Sequence, residues 1–273
     1  MITILGAGGL IGGRLCAILR KLSVEHYAPA RDEPLTNRDL GHVIYCIGVT
    51  ADFRRRTFDT VDAHVCELLR VLRDCDFHSL LYLSSTRVYG ARAWSADESN
   101  ELTVTPRNPD DLYNTSKLMG ESLALNSKRT ARIARISNVY GDDFSSQNFL
   151  SSVIHDAVTR RHVRLRTSEE SEKDYIHIDD VVDGLIRLAT EGRDAIYNLA
   201  SGRNVTNREL MNCISEFTGC TVAFEDGAPT IKYPTIDIHR MRDEFGFRPS
   251  PLSERIGDVI HQYQSRFQKS THK

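Results

Sequence analysis

Met1-Ile2-Thr3-Ile4-Leu5-Gly6-Ala7-Gly8-Gly9-Leu10-Ile11-Gly12 opens the chain, and its reading decides the fold. The apolar run is short enough to be a buried strand. It breaks into clustered glycines and resumes as a helical pattern, Leu15, Ile18, Leu19 and Leu22. Strand, glycine turn and helix in that order make an anion site, because the first helical amides point at a phosphate that glycine lets come close. The spacing Gly6, Gly9, Gly12 differs from the commonest dinucleotide fingerprint, whose first two glycines are two apart. Its place on the first strand points to a nucleotide all the same.

Outward from that turn, strands and helices alternate. Val24–Ala30 and Val43–Gly48 read as strands, Val61–Leu72 as a helix, and Leu80–Leu83 as a buried strand ending at Ser84-Ser85-Thr86. A polar loop from Arg92 to Asp111 leads to a helix near Tyr113, and Ala131–Ile136 is the next strand. Such alternation predicts a doubly wound parallel sheet, α/β and Rossmann-type. About a dozen residues separate the second strand from Val43, barely the ~10–12 that a crossover with its helix needs, so one strand–helix unit is expected to be degenerate or missing.

The later chain is less regular. Helices are expected over Phe149–Arg160, Asp179–Thr190 and Asn207–Thr218, the last capped by Thr206 or Asn207, with a short strand at Val163–Leu165. We expect a dinucleotide-binding domain over residues 1–140 with parts of 175–200. A smaller substrate-binding lobe over 141–174 and 200–273 would cover the carboxyl ends of the strands, where open α/β sheets hold ligands.

Composition narrows the function classes. The net charge of −2 argues against nucleic acid or an anionic membrane as the main partner, and no apolar run approaches the ~20 residues of a bilayer span. No leader peptide is expected, because a glycine turn follows the first apolar run at once. Six scattered cysteines without a C-x-x-C pair read as reduced core residues of a cytoplasmic protein. His155, His162 and His177 lack metal-ligand spacing, so no metal site is expected.

Tyr113 and Lys117 stand four residues apart, on one face of a helix. A cation beside a phenol stabilises the phenolate and is expected to lower the tyrosine pKa toward the working range. A tyrosine so tuned can pass a proton to or from an alcohol oxygen while hydride moves at a nicotinamide. Alone, the pair reads as a half-exposed tyrosine and a surface lysine. The hydroxyls of Ser84 and Ser85 at a strand end give it context.

With these residues in view the chain resembles the extended short-chain dehydrogenase/reductases, the group of nucleotide-sugar epimerases, dehydratases and reductases. Gly6-x-x-Gly9-x-x-Gly12 is similar to that family's cofactor turn, and Leu83–Gly90 to its SSxxVYG strand end. Tyr113 and Lys117 match its Y-x-x-x-K pair, and Arg135–Gly141 its RxxNVYG. Lys173–Val181 matches RDYIHVDDV with lysine for arginine; Tyr197–Gly202 and Phe245–Pro249 match later motifs in the right order.

The resemblance implies an NAD(P)-dependent enzyme acting on a nucleotide-activated sugar, with Ser85 and Tyr113 catalytic and Lys117 holding the nicotinamide ribose. It places the cofactor at Gly6, Gly9, Leu10, Ile11, Gly12, Arg31, Asp32, Ser84, Tyr113 and Lys117, and the sugar at Thr86 and Asn138. Ser84 and Thr86 read equally as strand-end structure, and His177, Asp179 and Asp180 as the junction of the two lobes. Family 4,6-dehydratases carry an Asp-Glu pair after the catalytic hydroxyl. Thr86 and Arg87 stand there, which disfavours elimination and leaves 4-keto reduction or 4-epimerisation.

Arg31, with Ala30 where NAD-dependent members place aspartate, favours NADP over NAD, while Asp32 turned inward would reverse this. Arg14 is a candidate for the extra phosphate, or else a solvated helix residue. Arg54-Arg55-Arg56 reads as a solvated loop. The loops Asp142–Gln147, Arg166–Glu172 and Lys232–Tyr233 are expected to read the substrate, Lys232 being a candidate for its diphosphate or an exposed loop lysine. A homodimer is implied by analogy. The alternative is a catalytically inactive nucleotide-binding sensor or scaffold of the same fold.

Overall fold

The computed structural model describes all residues except Arg92, Trp94, residues 145–147 and residues 272–273, and gives residues 270 and 271 without side chains. Arg92 and Trp94 of the expected polar loop, and residues 145–147 of one expected substrate loop, thus lie outside the described residues.

The opening run forms β1 (Ile2–Leu5), and α1 (Leu10–Lys21) follows the glycine turn. A six-stranded parallel sheet grows from β1 in the order β2-β1-β3-β4-β5-β9. Its further strands are β2 (His26–Tyr27), β3 (His42–Tyr45), β4 (Ser79–Ser85), β5 (Ala131–Ile136) and, later in the chain, β9 (Ile196–Leu199). β1, β3 and β4 are buried almost throughout, as a sheet covered on both faces requires.

The expected second strand, Val24–Ala30, shrinks to two residues. Pro29 has no amide to donate, and among the described residues nothing pairs with the far side of β2, so the ladder stops. No helix lies between β2 and β3 among the described residues, which is the missing unit that the short spacing required.

The helix expected over Val61–Leu72 is longer: α2 (Thr57–Val61), a π-helical turn at Asp62–Cys66, and α3 (Glu67–Asp74) run without a break. A 3₁₀ turn, Thr86–Tyr89, closes the end of β4, and α4 (Asp111–Asn126) carries Tyr113 and Lys117. After β5 come β6 (Asn138–Tyr140), α5 (Phe149–Arg160), β7 (His162–Leu165), β8 (Glu172–His177) and α6 (Ile178–Glu191). The chain ends with β10 (Asn204–Thr206), α7 (Asn207–Thr218), β11 (Thr221–Phe224), α8 (His239–Phe245) and α9 (Leu252–Thr271). Thr206 caps α7 in a reciprocal box with Glu209.

One core lies under α1 and α6 on one face of the sheet, and another under α3 and α4 on the other face. A separate core joins Leu150, Ile154, Leu210, Ile214, Ile256 and Ile260 from α5, α7 and α9. This smaller lobe stands over the carboxyl ends of the parallel strands. Asp180 of α6 ties it to the sheet domain by accepting the Ser250 amide at 2.9 Å, while its neighbour Asp179 holds α6 to α1 by binding Arg14 at 2.7 Å. Arg14 is therefore engaged by carboxylates and is not held out for a phosphate. Among the described residues no helix is long and apolar enough to cross a membrane.

Candidate active site

A cleft of about 550 Å³ opens between the strand ends and the lobe, a size that suits a small-molecule ligand. Gly9, Leu10, Ile11, Gly12, Ser84, Ser85, Thr86, Tyr113, Lys117 and Asn138 all line it.

The floor is the β1–α1 turn. Gly6 has φ +88°, and a side chain there would stand 2.9 Å from the backbone of Cys46 and Ile47. A Cβ on Gly12 would lie 2.4 Å from the Gly6 carbonyl, so only glycine lets the helix begin this close to the strand. Gly9 is different: its only neighbour within 4 Å is the Gly6 carbonyl, and the open space faces the cleft. Gly9 caps α1 without a side-chain hydrogen bond, and no acidic residue stands in the first turn. Free amides, a positive helix end and room above Gly9 fit the diphosphate of a nicotinamide dinucleotide.

The wall is built by β4 and α4. Ser85 accepts the Arg87 amide at 3.2 Å, and its side chain acts on the Tyr113 phenol to draw its pKa down. Tyr113 is 6% exposed and packs against Phe53 (5.2 Å between ring centres) and edge-on to His64 (5.3 Å). Lys117, one helical turn on, donates to the Leu83 carbonyl at 2.8 Å, with its Nζ 6.0 Å from the Tyr113 ring centre.

The expected lowering of the Tyr113 pKa is not found. Burial pushes the phenol up, outweighing the Ser85 hydrogen bond and the Arg87 charge that pull it down. Burial likewise brings Lys117 down to about 7, against the charges of Glu121 and Cys46. With its ammonium turned to a carbonyl, the lysine does not act as the cation beside the phenol; Arg87 does.

Three supporting groups escape sequence reasoning. His64 is fully buried, accepts the Val49 amide through Nε2 at 3.2 Å and joins Ser116 through Nδ1 at 2.9 Å. It thereby fixes the loop after β3 against α4. Burial, aided by the Lys117 charge, pushes its pKa down to about 2, so the ring is neutral. Glu121 and Arg135 form a buried pair at 2.7 Å; Glu121 takes the Ser84 hydroxyl at 2.5 Å, and Arg135 reaches Tyr89 at 3.0 Å. The Ser84 proton is thus spent on Glu121, which leaves the hydroxyl only its oxygen to accept a bond in the cleft. A lone histidine or an E…R pair many residues apart carries no signal that separates it from a solvated residue.

On the substrate side, the Asn138 side chain is exposed to the cleft and donates to the Asp174 carbonyl at 2.7 Å, while Thr86 reaches the Ile136 carbonyl only at 3.5 Å. Lys232 does not line the cleft, although its neighbour Tyr233 does; Lys173 lines it, over the Phe149 ring at 4.9 Å. Arg31 and Asp32 are exposed, outside the lining of the cleft, on the segment that follows β2. Arg54 binds Asp110 at 2.5 Å and Arg56 binds Asp59 at 2.8 Å, so the arginine run is the solvated, ion-paired loop expected.

Comparison with known proteins follows the same lines. The model of the NAD dependent epimerase/dehydratase family matches residues 40–200. Over 198 residues the chain is 28% identical to a dTDP-glucose 4,6-dehydratase of Streptomyces griseus, covering 68% of this chain and 58% of that protein. It is 29% identical over 222 residues to a dTDP-4-dehydro-6-deoxyglucose reductase of Escherichia coli, covering 74% of this chain and 66% of that one. In both cases the chain spans less than two thirds of its relative. Among solved structures, RMD from Pseudomonas aeruginosa complexed with NADPH superposes with a TM-score of 0.79 at 20% identity, over 97% of this chain and 99% of that one.

Proposed function

This chain belongs to the NAD dependent epimerase/dehydratase family, and we propose that within it the protein is a reductase of a nucleotide-activated 4-keto sugar, using NADPH. The observation that carries this reading is the gathering of Ser85, the buried Tyr113 and Lys117 at the strand ends in one cleft with the Gly9–Gly12 turn. Bound there, the nicotinamide supplies the hydride that turns a ketone carbon into a carbinol carbon. Burial holds Tyr113 as a protonated phenol at neutral pH. It is therefore poised as the acid that delivers a proton from Oη to the carbonyl oxygen, which would otherwise carry the negative charge. Ser85, at the same strand end, offers its hydroxyl proton as a second hydrogen bond to that oxygen.

Relatives of this chain include both reductases and 4,6-dehydratases. Elimination needs carboxyl groups beside the reacting carbon, and the turn after Ser85 offers Thr86 and Arg87 instead. Asp174, the buried carboxylate of the cleft wall, is consumed by Ser201 and the Arg203 amide. For the cofactor, Glu33 on the segment after β2 is held by the Tyr27 hydroxyl and the Ala30 amide rather than left for a ribose. Arg31, exposed on the same segment, would meet a 2′-phosphate, beside Arg38, which pairs with Glu33 at 3.6 Å.

The test is to supply dTDP-4-dehydro-6-deoxyglucose or its UDP counterpart with NADPH or NADH and follow the reduced-nicotinamide absorbance. A reductase consumes one NADPH for each sugar reduced. Turnover of sugar with no net loss of absorbance would make the enzyme an epimerase, and cofactor binding without turnover of any nucleotide sugar would favour the sensor.

A further inference from the structure

One charged side chain of the cleft acts on the Tyr113 phenol through its charge, yet its hydrogen-bond donors have no part in the reaction just described. The Arg87 amide is bound to Ser85 Oγ at 3.2 Å, so its side chain leaves the same turn that carries the catalytic hydroxyl. The guanidinium lies 4.9 Å from the centre of the Phe53 ring and 5.6 Å from that of Tyr113. Its carboxylate neighbour Asp110 is 3.9 Å away and is already bound by Arg54 at 2.5 Å. Among the described residues the Arg87 side chain makes no hydrogen bond, which leaves a planar fork of donors directed by two aromatic faces.

Lys173 also lines the cleft, and it has no carboxylate within ion-pair distance among the described residues. Burial lowers its pKa and the Arg87 charge lowers it further, so the two cations act on each other. An anion brought into the cleft would relieve both.

We propose that Arg87 is the receptor for a carboxylate on the sugar ring itself, so that the substrate is a nucleotide-activated uronic acid derivative. This rests on the proposed reaction at C4. In a hexopyranose C4 and the diphosphate-bearing C1 stand at opposite ends of the ring, whereas the substituent of C5 is next to C4. A guanidinium on the Ser85 turn, over the Tyr113 ring, therefore meets the C5 substituent rather than the diphosphate, which is left to the lobe side. A planar carboxylate takes two parallel bonds from such a fork. A methyl or hydroxymethyl group leaves the fork unpaired, and a site built around a polar bond discriminates strongly against a ligand that lacks it.

The test is equilibrium binding to the NADP-saturated enzyme of UDP-glucuronic acid against UDP-glucose, of the corresponding dTDP pair, and of UDP and dTDP alone. The wild type is expected to bind the acid of each recognised nucleotide at least about tenfold more tightly than the neutral sugar, the effect of a charge-assisted bond. Arg87→Met should bring that ratio close to one without changing the affinity for the free nucleotide or for NADPH, and Arg87→Lys should restore part of it. Retained NADPH binding reports that the variants are folded. A ratio near one in the wild type, or an acid preference that survives in Arg87→Met, overturns the assignment while leaving the reductase reading intact. Failure of every nucleotide and nucleotide sugar to bind, with NADPH still bound, would overturn both.

Discussion

The two ends of the cleft are built on opposite plans. At the reacting end, Tyr113 and Lys117 are buried and Ser85 is half-buried, and each is tied to a different element, through the His64 ring, the Leu83 carbonyl and the Arg87 amide in turn. Behind them Glu121 and Arg135 join α4 to β4 and β5. At the far end, past β2, the chain runs from Ala28 to Gly41 with no helix, and its polar groups meet on the surface: Tyr27 with Glu33, and Arg38 with the Tyr27 ring at 4.4 Å. The contrast teaches that rigidity is concentrated where bonds would change. Under the proposed function, the outer segment would choose between cofactors by charge. Mutations should accordingly cost most at the first end and least at the second.

The largest effect is expected at Tyr113. Tyr113→Phe keeps the ring packing and removes only the proton donor, so turnover should fall by about 10²–10⁴-fold while NADPH binds as in the wild type. Steady-state kinetics beside a cofactor titration check this; comparable turnover would erase the distinction between the two ends.

Next comes the buried pair. Glu121→Ala leaves Arg135 charged and without its partner in the interior, and should cost about 3–5 kcal/mol of stability by denaturant unfolding. Arg38→Ala, which breaks a solvated contact at the other end, should cost less than about 1 kcal/mol. Equal losses would mean that the two ends are not built differently.

A third effect is on pH dependence. The His64 pKa is pushed down to about 2 in the folded protein from an ordinary 6.5, mainly by burial. Above that ordinary value both folded and unfolded chains carry a neutral ring and the group contributes no slope. As the pH falls below it, the unfolded chain takes up a proton that the folded chain refuses, so stability is lost by up to about 1.4 kcal/mol per pH unit. Unfolding followed from pH ~6.5 to ~5 should show this slope in the wild type and about one proton less in His64→Asn, whatever the variant's overall stability. An unchanged slope would show the ring to be accessible to protons.

The smallest effect is expected beyond β2. Arg31→Ala should weaken NADPH by about three- to tenfold and leave NADH unchanged, as loss of one exposed charge contact implies. Equal weakening of both cofactors, or of neither, would remove Arg31 from the selection.

The same contrast governs what could be read from the sequence. Helix α5 and strand β5 begin and end at the residues expected, because their apolar periodicity is strong, and Thr206 is legible as a cap because a Glu follows at the third position. The glycine turn and the Tyr113–Lys117 spacing are local and could be read directly. The direction of the Tyr113 pKa could not, since it depends on how completely Phe53, His64 and Val49 close over the phenol, and those come from other segments. For the same reason Lys173 and Arg87, 86 positions apart, showed no sign of sharing one cleft. β2 was overestimated because propensity cannot tell a strand with one neighbour from a strand with two.

The central claim is that the Ser85–Tyr113 pair and the Gly9–Gly12 turn serve one nicotinamide dinucleotide. A crystal structure of the protein with NADP tests it most directly. The account predicts the diphosphate against the first turn of α1 and the reactive ring carbon beside Tyr113, leaving the ~3–3.5 Å approach a hydride transfer needs to a sugar carbon held by Ser85 and Tyr113. A dinucleotide bound elsewhere, or bound at the turn with its ring directed away from Tyr113, would contradict it.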